Sequence, residues 1–183
     1  MKLYFIRHGD KESTSAINKI IGHTDPSLTR QGFEQAETLV EYFKNEKVDY
    51  IYASEYLRVK QTAKPLARDK GIAVKIDKRL NEIDNGIVET MSDKDIEEQY
   101  PEFWKDFYEH KHDCRFPGGE TGEEVKARQN NLLEEIKGRD GTYVLFCHEG
   151  YIRILMCNLL GMPVYHRYKF KYDYCGITEV ILE

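Results

Sequence analysis

Two histidines, two arginines and a serine stand at or just beyond the ends of short apolar runs in this chain. The run Phe5-Ile6-Arg7-His8-Gly9 finishes with a cation, an imidazole and a glycine. A second run, Val144 to Cys147, leads into His148 and then into an apolar helical stretch. A third, Tyr50 to Ala53, leads into Ser54, with Arg58 one turn into the following helix. Ligands of an open parallel sheet bind beyond the carboxyl ends of its strands, so these groups converge on one rim. An imidazole is nucleophilic only when neutral, and with an ordinary pKa of roughly 6.5 it is largely neutral at pH 7. Guanidinium groups stay charged, bind anions and discourage protonation of an imidazole beside them. The backbone N–H of Glu149, where the last helix opens, is a further anion donor. One such histidine is usually structural; two on one rim, each beside phosphate-type donors, point to catalysis. Ser54 is expected to hydrogen-bond at the start of its helix.

The elements that must position these groups alternate. Leu3 to Ile6, Tyr50 to Ala53, Ala73 to Ile76, Tyr143 to Cys147 and Ile177 to Leu182 read as strands. Phe33, Ala36, Val40 and Phe43 share one face of a helix beginning near Thr29. Tyr56, Val59, Ala63, Leu66 and Ala67 mark a second helix, which Pro65 is expected to kink or split. Thr121 and Glu124 form a capping-box pattern before a third, with Val125, Leu132, Leu133 and Ile136 facing the core. A fourth runs from about Glu149 to Leu160 and ends at Gly161 and Pro163. This alternation implies an α/β fold: a three-layer αβα sandwich around a mostly parallel sheet, one domain over residues 1–183.

One segment departs from it. Residues 92–116 are acidic and aromatic, with Tyr100, Phe103, Trp104, Phe107 and Tyr108, and Pro101 sits where a second short helix would start. They read as a helical insertion over the site, whose aromatics pack it down and also narrow the pocket. Within it His110, His112 and Cys114 resemble a partial zinc pattern, but no fourth ligand is in register, so exposed polar residues are the expectation. The 183 residues carry a formal net charge of -5, which gives no basic field for nucleic acid or an anionic membrane. No apolar run approaches a membrane span, the N-terminal run is too short for a signal peptide, and the four cysteines form no CxxC pair. A reduced cytoplasmic protein, monomer or homodimer, is the expectation.

The run Ile6-Arg7-His8-Gly9-Asp10 resembles the signature of the histidine phosphatase superfamily, the phosphoglycerate mutase-like family. Further matches follow in order: Asp25-Pro26-Ser27-Leu28-Thr29 with Gly32; Ser54, Arg58 and Gln61-Thr62-Ala63; Leu80-Asn81-Glu82-Ile83 with Gly86. Pro117-Gly118-Gly119-Glu120, Arg128, and His148 with Ile152-Arg153 complete the set. The resemblance implies that His8 is the nucleophile and forms a phosphohistidine, and that Arg7, Arg58 and His148 clamp the phosphoryl oxygens. It implies that Glu82 protonates the leaving group, and that no metal or cofactor takes part. The rings of His8 and His148 are expected to face each other across a gap the size of one phosphoryl group. Asn18, Thr24 and Trp104 are expected near the substrate. The sequence also departs from the family pattern. Asp10 replaces the usual Glu or Gln, the expected asparagine is out of register with Asn18 nearest, and Glu149 replaces a glycine. That last carboxylate is unfavourable beside a phosphate dianion unless it turns away or pairs with Arg153. The implied substrate is a small phosphomonoester, of the α-ribazole 5′-phosphate or broad-specificity kind. A mutase-type phosphotransferase and a non-catalytic phospholigand-binding protein remain as alternatives.

Overall fold

The computed structural model describes residues 1–12 and 25–182. Asn18 and Thr24 lie outside the described residues. Five strands, β1 (Lys2–Arg7), β2 (Tyr50–Ala53), β3 (Val74–Ile76), β4 (Thr142–Cys147) and β5 (Ile177–Ile181), form one sheet in the order β3-β2-β4-β1-β5. All neighbours pair in parallel except β5, which runs antiparallel to β1 along one edge. Strand side chains alternate between faces, and here both faces are apolar. Leu3, Phe5, Tyr143, Leu145 and Cys147 enter one core cluster, while Tyr4, Ile6, Val144 and Phe146 enter the other.

Helices cover each face. α1 (Arg30–Tyr42) and α2 (Leu57–Lys70) pack Leu39, Phe43, Val59, Ala63 and Leu66 onto the second cluster. α5 (Gly122–Lys137) and α6 (Glu149–Leu159) pack Val125, Leu132, Leu133, Ile136, Ile152 and Leu155 onto the first. The three-layer expectation holds, and the Thr121–Glu124 capping box opens α5. Two local expectations do not. The buried face of α1 is Gly32, Ala36 and Leu39, continued by Phe43, whereas Phe33 is exposed. Of the kink or split expected at Pro65, the split does not occur: α2 runs unbroken from Leu57 to Lys70. Proline there forgoes one backbone donor, but Val59, Ala63, Pro65 and Leu66 are all buried, and that packing outweighs the lost bond.

The insertion folds as α3 (Asp93–Gln99), opened by a Ser92–Asp95 capping box, and α4 (Pro101–Glu109), with Pro101 at its first position. Phe107 meets Phe103 and Phe116 with ring centroids 5.6 and 5.7 Å apart, which holds the cap down. His110 stacks on Tyr168 at 4.2 Å and His112 reaches Asp106 at 3.2 Å, so the two histidines have separate partners. Among the described residues no three His, Cys, Asp or Glu side chains group as a metal site. All four cysteines are unpaired. Among the described residues no helix is long and apolar enough to cross a membrane.

The base of the cap is joined to the loop that carries Glu82. Ile87 N donates to Pro117 O at 2.9 Å and Glu120 N to Asp84 O at 2.8 Å. The two backbones lie so close that a Cβ on Gly86 would stand 2.1 Å from Pro117 O, and one on Gly119 2.2 Å from Asp84 O. Gly86 also has φ +59°, a left-handed conformation that side chains resist. Gly86→Ala is therefore expected to cost about 2–4 kcal/mol through strain and overpacking. A urea titration reads this, and a loss below about 0.5 kcal/mol would refute the close junction.

Candidate active site

Strand register brings the chemistry together. β1 pairs with β4 so that Arg7 lies opposite Cys147, and β2 with β4 so that Ala53 lies opposite Phe146. One step further on, His8 N donates to Cys147 O and Ser54 N to Phe146 O, each at 3.1 Å. His8 and His148 thus leave adjacent strands at one level, with Ser54 one residue short of it on the other side of β4. The imidazole centroids of His8 and His148 are 5.3 Å apart at 68°, edge to face. Rings at that spacing touch, so no phosphoryl group fits between them. The expected gap is replaced by a contact, and the group to be bound must sit on the pocket side of both rings.

Hydrogen bonds settle both tautomers. His8 Nδ1 lies 2.8 Å from Gly9 O. A carbonyl only accepts, so Nδ1 carries the proton and Nε2 keeps its lone pair. Burial is the main force pushing the His8 pKa down to about 3. The bond to Gly9 opposes it, and the charges of Arg58, Arg7 and Lys11 reinforce it. His148 is fully buried, with Nδ1 3.2 Å from an Arg58 terminal nitrogen and Nε2 2.8 Å from Ser54 Oγ. Arg58 only donates, so His148 is protonated at Nε2 and donates to Ser54. Burial, followed by Arg58 and His8, holds its pKa well below the ordinary value. Ser54 therefore orients His148 and does not cap α2, whose first free amide, Leu57 N, is met by Asp25 at 2.7 and 2.8 Å. His148 can touch a phosphoryl oxygen only by exchanging one of its two partners.

Arg7 donates to Tyr172 O at 2.6 Å, meets the Glu149 carboxylate at 3.1 Å, and lies 4.1 Å from the centre of the Tyr174 ring. Arg58 packs over Tyr56 at 4.6 Å and approaches Asp25 at 3.5 Å. The Nε–H groups of Arg7, Arg58 and Arg153 are buried and meet no acceptor among the described residues. Donors already stripped of water in this way favour an oxyanion. The other matched residues turn out to be braces. Thr62 Oγ1 accepts from Gly9 N at 3.0 Å, and Thr29 Oγ1 donates to Asp10 at 2.7 Å.

Glu82 lies where α6 begins. Its carboxylate accepts from Ile83 N at 3.0 Å, Gly150 N at 3.1 Å and Tyr151 N at 2.9 Å. Arg128 holds its carbonyl at 3.1 Å while gripping Glu120 with two nitrogens. Burial raises the Glu82 pKa, against the three amides and Arg58. The free amides of α6 thus serve Glu82, and the Glu149 N–H expected to meet phosphate lies just before them. Around these groups opens a cavity of about 550 Å³. Arg7, His8, Arg58, Glu82 and Glu149 line its floor, and Trp104, Phe103, Phe107 and Tyr108 of the cap line its far wall. Lys11, Tyr172 and Tyr174 escaped the sequence reading as functional groups. The two tyrosines follow an irregular stretch that carried no strand or helix pattern, although their i, i+2 spacing just before β5 was a usable sign.

A neutral imidazole, two arginines and a buried carboxyl group thus share one cavity. The chain belongs to the histidine phosphatase superfamily (branch 1), whose family model matches residues 3–183. It is 31% identical to phosphoserine phosphatase 1 of Hydrogenobacter thermophilus, over 100% of this chain and 87% of the relative. It is 28% identical to a probable phosphoglycerate mutase GpmB of Enterobacter sp. (strain 638), over 98% and 84% of the two chains. Among solved structures, a phosphoserine phosphatase variant from Entamoeba histolytica in complex with phosphoserine superposes with a TM-score of 0.82 and 28% identity, covering 100% and 91%. A putative alpha-ribazole-5'-P phosphatase from Escherichia coli shares the fold, with a TM-score of 0.81 at 24% identity over 98% and 89%. Phosphatase-named relatives along the whole length support a phosphatase.

Two outcomes follow from this geometry. A Cβ at residue 150 would lie 2.5 Å from Glu82 Oε1, so Gly150→Ala should displace that carboxylate. Activity should fall about 10²-fold or more with the fold retained by circular dichroism; wild-type turnover would separate Glu82 from the chemistry. Because the folded pKa of His8 lies below its ordinary value, the unfolded chain takes up the extra proton first. This ring's contribution to stability is whole above roughly pH 6.5 and is lost as pH falls toward 3. The NMR ring resonances of His8 should stay those of neutral imidazole down to about pH 5, and a midpoint near 6.5 would contradict its burial.

Proposed function

We propose that this protein is a phosphomonoester hydrolase that carries the phosphoryl group on His8. The observation that supports it most is the unprotonated Nε2 of a buried neutral imidazole, beside arginines whose buried Nε–H groups lack acceptors. In the first step Nε2 attacks phosphorus while the bond to the leaving oxygen breaks, and Glu82, protonated, gives its proton to that oxygen. In the second step water attacks the phosphohistidine, its proton passes to Glu82, and inorganic phosphate and free His8 are restored. Arg7 and Arg58 stabilise the charge on the phosphoryl oxygens in both steps, and His148 joins them by giving up one of its present bonds. No metal or cofactor takes part, and the setting is the cytoplasm.

The substrate is a small phosphorylated metabolite. The aromatic wall supplied by Phe103, Trp104, Phe107 and Tyr108 supports a leaving group with an apolar ring, as in α-ribazole 5′-phosphate or the esters taken by a broad-specificity enzyme. O-Phosphoserine is a second reading, supported by the 31% identical relative and by the Lys11 ammonium on the same cavity wall, which suits a carboxylate. A mutase-type reaction on phosphoglycerate, suggested by the other curated relative, would use the same first step.

Rapid quench with ³²P-labelled substrate in EDTA tests the mechanism. The expected product is an acid-labile, base-stable adduct that is absent from His8→Ala. Label on serine or cysteine, or activity only with added metal, would overturn it. The same assay over α-ribazole 5′-phosphate, O-phosphoserine, 3-phosphoglycerate and aryl phosphates ranks the substrates, and silence on all of them would favour a phospholigand-binding role.

A further inference from the structure

Glu149 is the least expected group in the cavity, because it places an anion beside the intended site of another. Its side chain is only 19% exposed. Oε2 lies 3.1 Å from the terminal Nη1 of Arg7, and Oε1 takes a short bond from Nη2 of Arg153, one turn further along α6. The carboxylate therefore bridges two guanidinium groups and neither turns away nor pairs with Arg153 alone. Both arginines also retain a buried Nε–H without an acceptor among the described residues. Two positive charges thus share one negative charge, and the pair as a whole still attracts anions. Arg7 is the cation carried by the same strand as His8, so an anion placed for attack by Nε2 must approach the guanidinium that Glu149 now holds.

We propose that Glu149 is a tethered competitor of phosphate. Its carboxylate occupies Arg7 in the unliganded enzyme, retreats onto Arg153 when a phosphoryl group arrives, and returns to help expel inorganic phosphate. The inference rests on the phosphatase reading of this pocket and adds a residue that sets how loosely the product is held. Arg153 is then a positioning residue: it gives the displaced carboxylate a place to go. Without Glu149, phosphate would meet a more positive pocket and stay longer. Without Arg153, the carboxylate would have Arg7 alone and compete harder. The two substitutions should therefore move phosphate affinity in opposite directions, which a purely structural role for the pair would not do.

Calorimetric titration of the full chain with inorganic phosphate tests this. Glu149→Gln keeps the shape and removes the charge, and should bind phosphate about tenfold tighter than wild type, the scale of one charge-assisted hydrogen bond. Glu149→Ala should agree in sign, and Arg153→Gln should bind several-fold more weakly. In turnover assays Glu149→Gln should show stronger product inhibition by phosphate. Equal or weaker phosphate binding by both Glu149 variants would overturn the tether while leaving the phosphate site intact. Absence of phosphate binding in wild type and all variants would remove the phosphate site itself, and the tether with it.

Discussion

The parallel pairing of β1 with β4 is the constraint on which the site depends. It fixes Arg7 opposite Cys147, so the next residues, His8 and His148, leave the sheet side by side, His8 lining the cavity and His148 buried behind it. A slip of one residue in either strand would turn one imidazole into the opposite core. That register is held by burial on both faces, since Leu3 and Phe5 enter one cluster and Tyr4 and Ile6 the other. The sheet therefore positions His8 through the same alternation that stabilises it. Burial then keeps both rings neutral, and Arg58 does two jobs at once: it orients His148 and opposes a proton on His8.

The start of α6 shows how tightly function is packed. The Glu82 carboxylate takes the Gly150 and Tyr151 amides, Gly150 leaves room for it, and the neighbouring Glu149 reaches the other way toward Arg7. Two carboxylates thus flank one helix end with different environments. One is buried against amides, which favours a raised pKa over the opposing bonds. The other is held between the guanidinium groups of Arg7 and Arg153.

Most of the layer order, and the set of groups on the rim, was legible in the sequence because strand-end histidines and helix periodicity are local patterns. The capping box at Thr121 and the proline opening α4 are equally local. What was not legible depends on contacts between distant segments. Ser54 looked like a helix cap because its neighbours in sequence form a helix start, yet its hydroxyl accepts from His148, 94 positions away. The gap expected between the imidazoles came from the chemistry and not from the backbone, whose adjacent strands bring the rings into contact. Pro65 follows the same rule: its local cost is real, but the buried face of α2 outweighs it. Tyr172 and Tyr174 join the site through the return of the chain to β5, and only their i, i+2 spacing hinted at it.

The junction between the Asp84–Gly86 loop and Pro117–Glu120 has a consequence for how this scaffold can diversify. The stretch from Thr90 to Phe116 leaves and re-enters the body at two points that are already pinned to each other by backbone bonds. Such a frame works like a fixed socket. A longer, shorter or differently shaped cap can be spliced into it without transmitting the change to the carboxylate two residues before Asp84. The shape of the cap and the placement of Glu82 are thereby uncoupled in the architecture, so the far side of the cavity can change while that carboxyl group stays in place.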